Sequence, residues 1–340
     1  AVTSASNLLD PPSGILAQAL FTCEPARAGR AVPMALVAVL AHYEEIIVNF
    51  THDSGRHQMR LLVTGGSGFI GTNLMAEAMA RGWTPLNLDI NPPQDATQQA
   101  WWRAVDLLDE SAMAAAFAEF LPDAIIHLAA RTDCDENTTM EAGYRANTQG
   151  TLNVLSAIRA TPSIHRVIVA STQFVFNKGP ILPGGDDDYH PRTVYGQSKV
   201  VTEQYTRKAS LKAAWSIVRP TTIWGPWDLK YRSHFYSVIR RGLYVHPGHQ
   251  PCMRSYGYVG NVVWQLLGLL QADARKVSGR VFYVGDPMVN VRDWVNAFSR
   301  QLHGRDVMVI PGWGLRPLAW LGDTWGAFTG RRFVLDSVRL

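Results

Sequence analysis

Cysteine is scarce: Cys23, Cys134 and Cys252 are the three in 340 residues, and they stand far apart. That scarcity excludes a disulfide framework and paired-cysteine metal ligands, and it fits a reducing, cytoplasmic setting. A surplus of one charge is lacking too, since 32 Lys and Arg against 28 Asp and Glu leave a formal charge of +4. With no dense basic run or recognition motif, nucleic acid is not an expected partner, and the slight positive balance suits a small anionic ligand. The apolar stretch from Val32 to Leu40 is too short to span a bilayer and too far from the start for an ordinary signal peptide, so no membrane partner is expected. His246, His249 and Cys252 share a loop rich in proline and glycine without a second ligand pair, and no metal is expected there.

What the chain does have is apolar content, 47% against 18% charged residues, enough for a large core. It also has glycines in a telling place. Leu61-Leu62-Val63 reads as a buried parallel strand, and Leu74, Ala78 and Met79 recur at helical spacing. Between them runs Thr64-Gly65-Gly66-Ser67-Gly68-Phe69-Ile70-Gly71, a strand-to-helix turn in which Gly65, Gly68, Phe69, Ile70 and Gly71 are candidates to cradle a dinucleotide pyrophosphate. The spacing G-x-x-G-x-x-G departs by one residue from the common fingerprint. Asp89 closes the next strand, about 20 residues on, where a carboxylate grips the adenosine ribose. A carboxylate there repels a 2′-phosphate, so the expected cofactor is NAD.

A second string, Tyr195-Gly196-Gln197-Ser198-Lys199, places a phenol and an ammonium one helical turn apart on one face. An ammonium beside a phenol lowers its pKa from about 10, which makes Tyr195 a candidate general acid and base with Lys199 as its partner. Ahead of it, Arg166 to Ser171 reads as a buried strand ending in Ser171-Thr172, at the carboxyl end where open α/β sheets bind ligands. Thr172 is the candidate to position the reacting oxygen.

From residue 60 the order is strand and helix in alternation, with strands expected at 60–64, 84–89, 101–105, 123–127, 166–170 and 214–218. Helices are expected near 70–81, 110–120, 141–160, 193–209 and 232–241. This predicts an α/β fold, a doubly wound parallel (Rossmann) sheet with a smaller C-terminal substrate lobe. The expected division is an N-terminal extension over 1–58 outside the core fold, an NAD-binding domain over 59–220 and a mainly substrate-binding lobe over 221–340. Trp224, Trp227 and Phe235 are candidates there to stack on a sugar or base, against the alternative that they are core.

Taken in order, Met59 to Gly71, Asp106-Leu107, His127-Leu128-Ala129-Ala130, Asn147, Ala170-Ser171-Thr172, Tyr195 with Lys199, and Arg219-Pro220-Thr221 resemble the extended short-chain dehydrogenase/reductase superfamily. In particular they resemble its NAD-dependent epimerase/dehydratase family of nucleotide-sugar enzymes. The resemblance implies that Asp106 and Leu107 lie at the adenine, that Ala129 and Ala130 lie along the cofactor backbone, and that Asn147 fixes active-site geometry. It implies that Lys199 holds the nicotinamide ribose, that Arg254 grips a substrate diphosphate, and that the chain forms a homodimer through the Tyr195 helix and the one before it. It also implies closing elements beyond a segment such as Arg331-Arg332-Phe333, so the C-terminal lobe is expected to be truncated.

The departures narrow the chemistry. Dehydratases and decarboxylating relatives carry acidic residues after the catalytic threonine, whereas Gln173-Phe174 follows Thr172 here and neither ionises. Phe176 stands where the epimerases commonly carry Tyr. Plain carbonyl-alcohol redox is therefore expected, with Gln173, Thr172 and Arg254 toward the substrate. A nucleotide-sugar epimerase or reductase is the leading reading; a 3β-hydroxysteroid-type dehydrogenase and a non-catalytic NAD-sensing protein are the alternatives.

Overall fold

Leu61 and Val63 point into one apolar layer and Leu62 into another, and all three are completely buried. A strand apolar at every position, rather than at alternate ones, belongs to a sheet covered on both faces. The computed structural model, which describes residues 3–4, 58–178, 183–229 and 235–311, contains that sheet. Its first six strands are β1 (Arg60–Thr64), β2 (Thr84–Asp89), β3 (Trp102–Ala104), β4 (Ala124–His127), β5 (Arg166–Ala170) and β6 (Ala214–Pro220). Three short strands follow, β7 (Thr222–Trp224), β8 (Val245–Pro247) and β9 (Met253–Tyr258), before β10 (Arg280–Val284) rejoins the sheet. The order β3-β2-β1-β4-β5-β6-β10 is parallel throughout, with Thr3–Ser4 pairing at the outer edge of β10.

Helices α1 (Phe69–Ala80), α2 (Glu110–Phe120), α3 (Thr151–Ala160), α4 (Val194–Lys208) and α5 (Val259–Gln271) flank the sheet. Leu74, Met75 and Ala78 of α1 join Val262, Val263, Leu266 and Leu270 of α5 in the layer with Leu61 and Val63. Met113, Ala116 and Phe117 of α2 join Val154, Leu155 and Ile158 of α3 in the layer with Leu62. Strand order reverses between β1 and β4, and doubly wound sheets bind ligands in the crevice at the carboxyl ends of such strands.

Contacts divide the chain into two units, one formed by Ala1–Trp227 with Tyr256–Asp286 and the other by Asp228–Ser255 with Pro287–Leu340. The boundary expected after Pro220 thus differs: α5 and β10 belong to the sheet unit, because their apolar faces complete its core. In the second unit β11 (Met288–Asn290) runs antiparallel to the start of β9, α6 (Val291–His303) follows, and β12 (Met308–Ile310) pairs with β8. Phe235 stacks on Trp294 there at 5.2 Å, so it packs inside that unit.

The helix expected over 141–160 is broken. Met140–Gly143 forms one turn, Ala146–Gly150 winds as a π-turn, and α3 starts only at Thr151. A Cβ on Gly150 would stand 2.8 Å from Leu107 Cβ, so the glycine lets this turn pack closely against Leu107. Of the helix expected near 232–241, residues 237–240 are helical and 230–234 lie outside the described residues. So do Cys23, the expected 1–58 extension apart from residues 3, 4 and 58, and Arg331 to Phe333.

Candidate active site

The glycine turn leaves no space for side chains. Gly65 has φ +75°, and a Cβ there would stand 2.6 Å from the Ala129 nitrogen; one on Gly71 would stand 2.2 Å from the Gly65 carbonyl oxygen. Gly68 is the N-cap of α1, no side chain caps that helix, and its first turn carries no acidic residue. Its opening N–H groups and partial positive charge are left for an anion, which is the arrangement a diphosphate fits.

Asp89 ends β2 beside this turn. Its carboxylate accepts from the Ser67 N–H at 3.2 Å and the Asn91 N–H at 2.9 Å, while burial raises its pKa against those hydrogen bonds. Ser67 and Asn87 support it. Asn87 is buried, donates from Nδ2 to Ser67 Oγ at 2.9 Å, and would meet a Cβ on Gly66 at 2.4 Å. Sequence reasoning assigned no role to Gly66, Ser67 or Asn87, because only the pairing of β1 with β2 brings them together.

At the next two strand ends, Ala129 and Ala130 follow β4, Ala129 donates to Thr64 Oγ1 at 3.4 Å, and both residues are half-buried. Asp106 is exposed and accepts from the Leu108 N–H at 2.9 Å, with Leu107 buried next to it.

Thr193 caps α4 by accepting from the Gly196 N–H at 3.0 Å, which starts the helix at Val194, one residue before Tyr195. A Cβ on Gly196 would lie 2.6 Å from the Phe174 carbonyl oxygen, so this glycine lets α4 approach the loop after β5. Thr172, in that loop, is close enough for its hydroxyl to lower the pKa of the Tyr195 phenol, which is 7% exposed and flanked by the rings of Tyr144 at 6.2 Å and Phe174 at 6.4 Å. Gln173 reaches Thr222 Oγ1 at 3.4 Å.

The phenol differs from the expectation of an acidic tyrosine. Burial pushes its pKa up to about 12, with the Thr172 hydroxyl pulling the other way. Burial also carries the Lys199 ammonium down to about 8, opposed by Glu203. Desolvation disfavours the charged form of each group, and in this fold it outweighs their proximity along the helix.

Asn147 is completely buried in the π-turn. Its side chain clamps Arg131, accepting from the backbone N–H at 2.8 Å and donating to the carbonyl oxygen at 3.0 Å, and Nδ2 also donates to Ser198 Oγ at 2.9 Å. Its backbone carbonyl accepts from Thr151 Oγ1 at 2.8 Å and from Thr202 Oγ1 at 2.7 Å, joining α3 to α4. Because the Thr151 hydrogen is used there, Thr151 only accepts from His127 Nε2, 3.3 Å away; the ring therefore carries its proton on Nε2 and takes the Thr64 hydroxyl on Nδ1 at 2.7 Å. His127 stays neutral, its pKa lowered to about 3 by burial and then by the Lys199 charge.

The sheet unit thus holds Thr172, Tyr195, Lys199 and Asn147 together with the glycine turn and Asp89, and Ser198 links Asn147 to the Tyr195 backbone. Arg254 lies in the second unit, exposed on β9 opposite Val289. No helix among the described residues is long and apolar enough to cross a membrane.

A family model described as the NAD dependent epimerase/dehydratase family matches residues 61–285. The N-acetyl-alpha-D-glucosaminyl-diphospho-ditrans,octacis-undecaprenol 4-epimerase of Escherichia coli O157:H7 is 29% identical over 293 residues, covering 82% of this chain and 84% of its own. A 3 beta-hydroxysteroid dehydrogenase/Delta 5→4-isomerase of Mycobacterium tuberculosis H37Rv is 29% identical over 253 residues, 67% of this chain and 65% of that protein. The crystal structure of the Thermus thermophilus UDP-glucose 4-epimerase with NAD matches at a TM-score of 0.59 and 25% identity, over 74% of this chain and 86% of that one.

Proposed function

This chain belongs to the NAD-dependent epimerase/dehydratase family, and from that premise we propose that it exchanges a hydroxyl and a carbonyl on a sugar carried by a diphosphate, as an epimerase or reductase. It is an NAD-dependent oxidoreductase or isomerase of that family. The observation that carries the reading is the buried Tyr195 phenol beside Thr172, with the buried Lys199 ammonium one turn further along α4.

Bound in the crevice, NAD supplies a hydride acceptor and donor. Gly65, Gly68, Phe69, Ile70 and Gly71 would hold its diphosphate, Asp89 the adenosine ribose, Asp106 and Leu107 the adenine, and Ala129 and Ala130 its flank. Lys199 would hold the nicotinamide ribose, and its ammonium stabilises the Tyr195 phenolate. During oxidation Tyr195 Oη accepts the proton of the substrate hydroxyl, and during reduction it returns that proton to the carbonyl oxygen. Thr172 Oγ1 would hold the reacting oxygen, Asn147 fixes α4 against the loop after β4, Gln173 would contact the substrate, and Arg254 is the proposed ligand of a substrate diphosphate. Turning the keto intermediate over before reduction gives the epimer.

The shared substrate chemistry is a sugar on a diphosphate, and the aglycone is a nucleotide by our reading. Incubation with UDP-glucose, UDP-N-acetylglucosamine, dTDP-glucose and a short-chain prenyl diphosphate carrying N-acetylglucosamine, with NMR of the products, separates nucleotide from lipid carriers. Tyr195→Phe should lower turnover by about 10²-fold or more; turnover unchanged in that variant would sink the assignment. The steroid reading has one supporting observation, the similarity to the mycobacterial dehydrogenase. Steady NADH accumulation with a 3β-hydroxysteroid, and no reaction with any sugar diphosphate, would favour it, whereas tight NAD binding without turnover would favour a sensor. We further propose a homodimer joined through α3 and α4, located in the cytoplasm; sedimentation at micromolar concentration tests the dimer.

A further inference from the structure

Lys199 is 2% exposed, and a buried ammonium loses proton affinity unless a counter-charge faces it. That counter-charge sits one turn along the same face of α4. Glu203 is completely buried, its Oε1 accepting from Arg219 Nε at 2.9 Å and its Oε2 from Arg219 Nη2 at 2.9 Å. Tyr189 Oη donates to Oε2 at 3.0 Å, and Arg207 Nη2 stands 3.9 Å from the same oxygen.

Arg219 is itself anchored on the far side. Its guanidinium lies between the rings of Tyr189 at 5.8 Å and Tyr283 at 5.6 Å, and it donates to Tyr283 Oη at 3.3 Å and the Asp186 carbonyl oxygen at 2.6 Å. The cation is thus held on β6 while the carboxylate stays on α4, in the ladder Tyr195, Lys199, Glu203, Arg207 that repeats at every helical turn. From β4 the group facing Lys199 is His127, which is neutral. Glu203 is therefore the carboxylate acting on Lys199, and it opposes the effect of burial on that ammonium.

We propose that Glu203 is a positioning residue which, kept ionised by Arg219, holds Lys199 protonated beside Tyr195. The functional weight of this rests on the roles given above to Tyr195 and Lys199. An always-charged guanidinium is what such a device needs, because a lone buried carboxylate would neutralise itself.

The test follows Lys199 directly in the full chain without substrate. Protein labelled with 13C and 15N lysine is titrated from about pH 6 to about pH 10, with the Lys199 Cε signal identified by its loss in Lys199→Met. The wild-type midpoint should lie at about 8. Glu203→Gln should lower it by about one unit or more, and Glu203→Asp should restore most of the shift. Glu203→Gln leaves a buried Arg219 unpaired, which can itself repel Lys199 or prevent folding. The Glu203→Gln/Arg219→Met double variant removes that complication and should keep the lowered midpoint. A wild-type midpoint in the double variant would overturn the proposal, as would an unmoved midpoint in Glu203→Gln. The alkaline limb of kcat should move with the NMR midpoint. Movement of the midpoint alone would count against the catalytic roles of Tyr195 and Lys199 and leave the electrostatic role of Glu203 standing.

Discussion

Gly196→Ala tests whether the approach of α4 to the loop after β5 makes the active site. A Cβ at Gly196 would stand 2.6 Å from the Phe174 carbonyl oxygen, whereas ordinary contact begins at 3.4 Å, so the backbone must part by about 0.8 Å. Phe174 lies two residues from Thr172, whose hydroxyl acts on the Tyr195 phenol, and Tyr195 is the neighbour of Gly196. Alanine gains about 0.5 kcal/mol as a helix former, while forcing a methyl against backbone costs about 1–3 kcal/mol. The net loss of stability is then about 0.5–2.5 kcal/mol, which the fold of a chain this size tolerates. A displacement approaching 1 Å between reacting groups costs about 10²-fold in rate. Because the glycine turn lies on a different strand end and only Lys199 of the proposed NAD contacts shares α4 with Gly196, NAD affinity should fall much less than turnover. Turnover of the best sugar diphosphate, NAD titration and urea unfolding measure the three effects separately. Wild-type kcat in this variant, or a fall in NAD affinity as large as the fall in kcat, would refute the reasoning.

Gly71→Ala should weaken NAD binding by about 10-fold or more, since its Cβ would sit 2.2 Å from the Gly65 carbonyl oxygen and 2.6 Å from Gly66 Cα; calorimetric titration giving wild-type affinity would contradict the cradle. Asn147→Leu strips the Arg131 peptide of both side-chain bonds and should destabilise the protein by about 2–4 kcal/mol in urea unfolding, with a loss below about 1 kcal/mol counting against the clamp. His127 titrates at about 3 in the fold against an ordinary 6.5, so the unfolded chain takes up its proton first. The stability it supports is complete above about pH 6.5 and declines by about 1.4 kcal/mol per pH unit as pH falls toward about 3. His127→Gln should remove nearly one proton's worth of that slope between about pH 5.5 and pH 4.5, and equal slopes in both proteins would reject the neutral-imidazole assignment.

The parallel strands were legible because both-faces burial writes continuous apolar runs such as Leu61-Leu62-Val63 and Val167-Ile168-Val169. Helix α5 was missed although Val262, Val263, Leu266, Leu267, Leu269 and Leu270 recur at helical spacing, because it lies beyond the segment expected to complete the sheet domain. Strand β10 was missed with it, and only the closed core assigns both to the sheet unit. The π-turn at Asn147 was equally invisible, and the Arg131, Ser198 and Thr202 partners of Asn147 reach it only through tertiary packing.

By itself the sequence determined the chemistry on offer: a glycine turn without side chains, a carboxylate after the second strand, a hydroxyl at a strand end, and a phenol with an ammonium one turn on. These are local patterns, fixed by backbone conformation and helical period. The tertiary structure decided what those groups are worth as acids and bases. Only folding buries Tyr195 and Lys199, directs the His127 proton to Nε2, and sets Glu203 against Arg219. Proton affinity depends on water excluded and charges assembled from distant strands, and spacing along a chain records neither.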